Sequence, residues 1–203
     1  MIEYLRSVTH IDNAFTFPSV PDHFRHAAVL LMIWHDARGD HLVVTERGSH
    51  LRSHAGQVSL PGGRIDPGES ADGAAVRETV EELGVDSAFI EIVGRLDDAW
   101  SAAGNHIVPV VAWYHGEPHF VPNPDEVNRI GIVDLDHFGT VDAVAVMTPI
   151  GERISEQFDA GELRVVGLTA DMILELVGRR GGNGSGRGLD RWQALEVFLA
   201  ATR

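Results

Sequence analysis

Cysteine and lysine are both absent from this chain of 203 residues. Without a thiol there is no disulfide framework, no cysteine nucleophile, no iron–sulfur cluster and no cysteine-bound zinc. Without an ε-amine there is no phosphate-loop lysine, no Schiff-base lysine and no pyridoxal anchor, because all 16 basic residues are arginine. Codon bias would account for the missing lysine, and the chemical exclusion holds whatever the cause. No apolar run approaches membrane-spanning length, and Met1-Ile2-Glu3-Tyr4 lacks the basic start of a signal peptide. The last residues, Ala201-Thr202-Arg203, are not a peroxisomal tripeptide. These absences predict a soluble cytoplasmic protein with no membrane partner. Positive charge is also short, with 30 acidic residues against 16 basic ones and a formal net charge of −14. Nucleic-acid surfaces are normally basic, so no nucleic-acid partner is expected. An acidic protein with an anionic small-molecule substrate needs divalent metal or clustered arginine to reconcile the two.

What is present is enough for a sizeable core, since 44% of the residues are hydrophobic. Length and composition predict one domain with appended pieces. Residues 1–26 read as a leader packing on a domain at 27–178, followed by a Gly-rich linker at 179–188 and a C-terminal helix at 189–203. Ala27 to Trp34 is a continuous apolar run, as in a buried strand, and His41 to Thr45 returns as its hairpin partner. Asp36 and Asp40 in the turn do not fit a calcium loop. Residues 51–68, rich in glycine and proline, read as a long loop. From Ser70 to Leu83 an apolar stripe at helical spacing ends at Gly84, a natural stop. Strands are expected at 89–96, 106–114, 129–135, 142–147, 153–158 and 162–166, and a second helix from Thr169 to Val177. GRRGGNGSGRG, residues 178–188, is a flexible tether rather than a dinucleotide fingerprint, because no strand leads into it. The amphipathic segment beyond it is free to dock on its own domain or on a second subunit, which leaves a homodimer open.

The chemistry is concentrated on the first of those helices. Glu78, Glu81 and Glu82 fall at i, i+3 and i+4, so three carboxylates share one face. Like charges at that spacing cost a helix about 0.2–0.5 kcal/mol per pair. A solvated acidic face is one explanation. The other is that hard divalent cations are the missing partners, since magnesium prefers carboxylate and phosphate oxygens.

The spacing Gly63, five residues, Glu69, seven residues, Arg77-Glu78-Thr79-Val80-Glu81-Glu82-Leu83-Gly84-Val85 resembles the Nudix box, G-x5-E-x7-R-E-U-x-E-E-x-G-U with U aliphatic. Eight of its nine specified positions match, and Thr79 stands where an aliphatic residue is usual. The resemblance implies an α+β fold, an α/β/α sandwich with a mixed β-sheet and a loop-helix-loop built from the box. It implies that Glu78 and Glu82, with Glu81 completing the cluster, hold magnesium or manganese, and that a Gly63 carbonyl is a further ligand. Gly62 and Gly63 would let the backbone approach metal and phosphate. Arg77, paired with Glu69, would orient Glu78. Thr79, facing away from the carboxylates, would alter packing more than chemistry. The resemblance also implies a further carboxylate from outside the box as base or metal ligand, expected at Glu126, with Asp97 and Asp98 as alternatives.

A longer pattern narrows the resemblance. Val43-Val44-Thr45-Glu46-Arg47, then Arg52-Ser53-His54-Ala55-Gly56-Gln57-Val58-Ser59-Leu60-Pro61-Gly62-Gly63, is similar to the extra signature of the coenzyme A pyrophosphatase subgroup, LLTxR followed by R-x3-G-x3-F-P-G-G. Val166-Gly167-Leu168-Thr169-Ala170 resembles that subgroup's WGLTA. Leu60 and Val166 each replace an aromatic ring. Leu60 is expected in the core, whereas Val166 stays open between core and substrate contact. Arg47 and Arg52 would either contact an extra phosphate of the substrate or brace the loop through carboxylates. The activity so implied is metal-dependent hydrolysis of coenzyme A or acyl-coenzyme A to 3′,5′-ADP and (acyl-)4′-phosphopantetheine. The alternatives are a Nudix pyrophosphatase for ADP-ribose, dinucleotides or oxidised nucleoside triphosphates, and a non-catalytic nucleotide-binding sensor.

Overall fold

A computed structural model describes residues 2–9, 14–49, 56–137, 139–148, 151–182 and 187–201. Arg52 and His54 lie outside them. The architecture grows from one strand, β1 (Arg25–Asp36), which is buried on both faces. Ala28, Leu30, Met32 and Trp34 enter one core and Leu31 and Ile33 the other, which is why the sequence there is uniformly apolar rather than alternating. β1 turns at Ala37-Arg38 into β2 (Gly39–Arg47), with Asp36 opposite Gly39. Asp36 accepts from the Arg38 backbone N–H at 2.7 Å, so the aspartate serves the hairpin, as expected.

The two strands stay paired only from Ile33 to Asp36 and then diverge. The gap is filled by β3 (Val58–Ser59), which pairs with Thr45 and Glu46 of β2, and β4 (Gly62–Arg64), which pairs with Ala27 to Val29 of β1. The stretch expected to be loop over 51–68 therefore contains two short strands. Their lengths of two and three residues carry no periodic signal.

Helix α2 (Ala71–Leu83) follows. The Ser70 side chain accepts from the Gly73 N–H at its start, and Gly84, at φ 64°, ends it in the left-handed conformation. A 3-10 turn at Ser87–Phe89 leads into β5 (Ile90–Arg95), and β6 (Ala99–Ser101), β7 (Asn105–Tyr114) and β8 (Val127–Asp134) complete an eight-stranded sheet. β7 runs parallel to β1 from Arg25 opposite Asn105 to Ile33 opposite Trp113, and the other pairings are antiparallel. The sheet is mixed, as the fold class required. Strands β9 (Asp142–Thr148), β10 (Gly151–Ala160) and β11 (Leu163–Val166) form a second, antiparallel sheet. α2 covers one face of the large sheet, and α3 (Gly167–Arg180) joins β10 and β11 over the other.

Three features go beyond the sequence expectation. Within the leader, residues 2–9 form helix α1 (Ile2–Thr9), whose Leu5 is buried in the core beside β5 and α3. Eight residues show too little periodicity to announce a helix, which here is held by packing. β6, only three residues long, is, like β3 and β4, too short to carry a periodic signal. Lastly, α3 runs through Gly178 to Arg180, beyond the expected end at Val177. The glycine is outweighed by ion pairs: Arg179 lies 2.6 Å from both Asp97 and Glu175, and Arg180 lies 2.6 Å from Asp40 and 2.8 Å from Asp136.

Helix α4 (Gly188–Ala201) docks on its own chain. Leu195 is fully buried with Phe17 and Phe24, and Arg191 lies 2.7 Å from Glu175 and 2.7 Å from Asp171. No described helix is long and apolar enough to cross a membrane.

Candidate active site

The acidic face of α2 meets β4 at the Gly62-Gly63 ridge. Gly62 donates its N–H to Glu82 Oε2 at 3.4 Å. A Cβ on Gly63 would lie 2.3 Å from Glu78 Cδ and 2.5 Å from both carboxylate oxygens, so Glu78 fills the space that a side chain would need. Gly62 is pressed from the other side, since its φ is 151° and a Cβ would lie 2.3 Å from the Ala28 carbonyl oxygen. Both glycines are needed, one for conformation and one for clearance.

Glu82 is the buried member of the acidic face, at 6% exposure. Burial raises its carboxyl from the ordinary 4.5 to about 8. The Gly62 N–H opposes that shift, the charges of Glu126 and Glu78 reinforce it, and Arg47 opposes it. Three of the expected site residues, Glu78, Glu126 and Arg47, are therefore each within electrostatic reach of a fourth, Glu82. Glu81 is placed differently: half exposed, it lies 3.4 Å from the Arg77 guanidinium.

Arg77 is the hub of the face. It donates through Nε and Nη2 to the two oxygens of Glu69, both at 3.0 Å, through Nη1 to Glu78 at 2.9 Å, and through Nη2 to the Arg64 carbonyl at 3.0 Å. Such a fork fixes the loop and one Glu78 oxygen together. The Glu69 carboxyl is held below its usual value, first by Arg77 and then by the Asp66 N–H. Thr79 points into the core and donates to the Ala75 carbonyl at 2.7 Å, away from the acids. Leu60 is core as well. Val166 is 39% exposed at the end of β11.

A divalent cation fits this donor set. Glu78 and Glu82 offer hard oxygens on adjacent turns, one of them buried beside other carboxylates with too little positive charge around it. Among the described residues no three acidic or histidine side chains converge as a ready-made cage. Magnesium does not require one, because it binds through one or two carboxylates and keeps water and substrate oxygens for the rest.

Asp97 and Asp98, the alternative bases, are excluded by their surroundings. Asp97 accepts from the N–H groups of Phe15 (2.8 Å) and Gly188 (2.7 Å) and pairs with Arg179, while Asp98 accepts from the Phe17 N–H and from His106, both at 2.9 Å. They anchor the N-terminal segment and α4. A cavity of about 560 Å³ lies there too, between β6, β10 and the starts of α3 and α4, and contains none of the box residues. One residue passed over in the sequence is Asn123, which bonds to the end of α2. Its setting, Val121-Pro122-Asn123-Pro124, was the available signal, since two prolines fix the chain on either side.

Nudix hydrolase 3 of Caenorhabditis elegans is 39% identical over 101 residues, covering 48% of this chain and 42% of that protein. Nudix hydrolase 15, mitochondrial, of Arabidopsis thaliana is 35% identical over 124 residues, covering 58% and 44%. The chain thus spans less than half the length of these relatives. A solved MutT/nudix family protein from Enterococcus faecalis superposes with a TM-score of 0.49 at 16% identity, covering 88% of this chain and 70% of that one. The NUDIX domain family model matches residues 24–153, from the start of β1 into β10, and the chain belongs to that family.

Proposed function

We propose that this chain hydrolyses a diphosphate bond in a nucleotide-type substrate with magnesium or manganese, and that the substrate is coenzyme A or acyl-coenzyme A. The observation that carries the hydrolytic reading is the convergence of Glu78 and Glu82 on the Gly62-Gly63 ridge, with Glu126 alongside. Glu78 and Glu82, aided by Glu81 and the Gly63 carbonyl, would hold the metal. When bound, the metal supplies neutralising charge for the diphosphate and a more acidic water. Glu126 takes the proton of the attacking water. A P–O–P linkage breaks, one new P–O bond forms from that water, and the leaving phosphate departs as an anion. Arg77 keeps Glu78 in place through its fork to Glu69. Arg47, close enough to act on Glu82, and Arg52 would contact an additional phosphate of the substrate.

The coenzyme A assignment is supported by the pattern around Arg47 to Gly63 and by Val166 to Ala170. These two stretches touch, because the Thr169 hydroxyl donates to the Val58 carbonyl at 3.2 Å. The products would be 3′,5′-ADP and 4′-phosphopantetheine or its acyl form. The missing ring at the exposed Val166 favours a second reading, a pyrophosphatase for ADP-ribose, dinucleotides or oxidised nucleoside triphosphates. Product analysis by mass spectrometry in heavy-oxygen water, over a panel of these substrates, separates the two. Activity confined to ADP-ribose would end the coenzyme A assignment. Glu82→Gln should cost orders of magnitude in rate while the protein stays folded. Nucleotide binding without turnover in the wild type would instead mark a sensor.

A further inference from the structure

We infer that Asn123 is a positioning residue that sets Glu126 against Glu82, an inference resting on Glu126 being the base. The last turn of any helix leaves carbonyls without partners. Here the segment 121–127 supplies them: Val121 donates its N–H to Leu83 O at 2.8 Å, and Asn123 donates to Glu82 O at 2.9 Å. The second bond joins the segment to the backbone of the buried carboxylate itself. Gly84 makes room for it, since a Cβ there would lie 2.7 Å from the Val121 carbonyl oxygen.

Asn123 uses its other polar groups to shape the turn that follows. Its side-chain Oδ1 accepts from the Asp125 N–H at 3.1 Å, and its carbonyl accepts from Glu126 N at 3.0 Å and Val127 N at 2.8 Å. Such an Asx turn closes the chain locally without help from elsewhere. Pro122 and Pro124 restrict the backbone on both sides of it. At the far end the Glu126 carbonyl accepts from the Gly48 N–H at 2.8 Å, next to Arg47. The segment is a short bridge from the end of α2 to the end of β2, with Glu126 on its β2 side and Asn123 as the pier on α2. The geometry gives the bridge one consequence for chemistry: Asn123, bonded to the Glu82 carbonyl at one end and closing the turn at the other, helps to set the separation of Glu126 from Glu82.

The test compares Glu126→Gln, Asn123→Ala, Asn123→Asp and the double variant Asn123→Ala/Glu126→Gln, using the substrate that the wild type turns over. Asn123→Ala removes the Asx acceptor and should lower kcat by about tenfold or more with KM nearly unchanged, because a displacement on the order of 1 Å costs up to about a hundredfold in rate. Asn123→Asp keeps the acceptor and should recover most of the rate. In the Glu126→Gln background Asn123→Ala should add little further loss, since it acts through that carboxylate. Thermal melting of each variant reports on folding. If Glu126→Gln has the wild-type rate, the assignment of the base is wrong and the inference falls with it. If Glu126→Gln is slow and Asn123→Ala is not, the inference alone is overturned. Equal loss in the alanine and aspartate variants, or additive loss in the double variant, also overturns it.

Discussion

Replacing each glycine of the Gly62-Gly63 pair by alanine should separate a folding defect from a catalytic one. At Gly63 the three atoms nearest the added Cβ are those of the Glu78 carboxylate, at 2.3–2.5 Å where ordinary contact begins near 3.4 Å. The carboxylate must withdraw by about an ångström, and it can, being the far end of a flexible side chain. Gly63 is outside the left-handed region, so its backbone needs no change. A misplacement of that size costs on the order of a hundredfold, roughly 2.7 kcal/mol in transition-state stabilisation. Stability should stay within about 1 kcal/mol of wild type, because alanine also reduces the freedom of the unfolded chain. At Gly62 the Cβ meets the Ala28 carbonyl at 2.3 Å and Val29 Cα at 2.6 Å, both backbone atoms of the central strand, and φ is 151°. Neither neighbour can yield without shifting β1, so Gly62→Ala should cost upward of about 4 kcal/mol. Urea denaturation together with initial rates reads both quantities. A Gly63→Ala enzyme within threefold of the wild-type rate would refute the placement of Glu78. Equal destabilisation by the two substitutions would refute the distinction between them.

Gly84→Ala strains a left-handed cap and pushes on Val121, so urea denaturation should show a loss of about 1–2 kcal/mol and the rate should fall as the 121–127 bridge loosens. Arg179→Met removes the guanidinium that Asp97 and Glu175 share in the core, leaving Arg191 as the cation beside Glu175. Breaking a buried pair in this way costs about 3–5 kcal/mol, and an unchanged denaturation midpoint would show the network to be dispensable. The folded-state carboxyl of Glu69 lies below its unfolded value of 4.5, so the folded state stays ionised where the unfolded chain has begun to take up protons. Its stabilising contribution is full above that value and is lost as pH falls through the lower, folded one. Glu69→Gln should therefore flatten the decline of Tm on the acid side, and an unaltered acid limb would argue against the Arg77 fork.

The amino-acid sequence determined what depends on neighbours along the chain. The spacing of three glutamates on one helical face, the stop at Gly84, the hairpin between Asp36 and Gly39 and the doubly buried run of β1 are all local patterns. Each forms for reasons carried within about a dozen residues, and each stands in the structure where it was expected. Tertiary structure decided the rest. α1, β3, β4 and β6 are too short to hold their conformation alone and exist because a sheet edge or core is there to receive them. α3 passes through Gly178 because distant acids hold Arg179 and Arg180. Asp97 and Asp98 look like free acids in the sequence, yet partners about 80 to 90 residues away bury them as structural groups. The same holds inside the candidate site: the helix face was legible, but which carboxylate is buried, which is half exposed and which loop brings Glu126 to them were not. Burial and electrostatic reach are properties of packing between remote segments, and no local pattern encodes them.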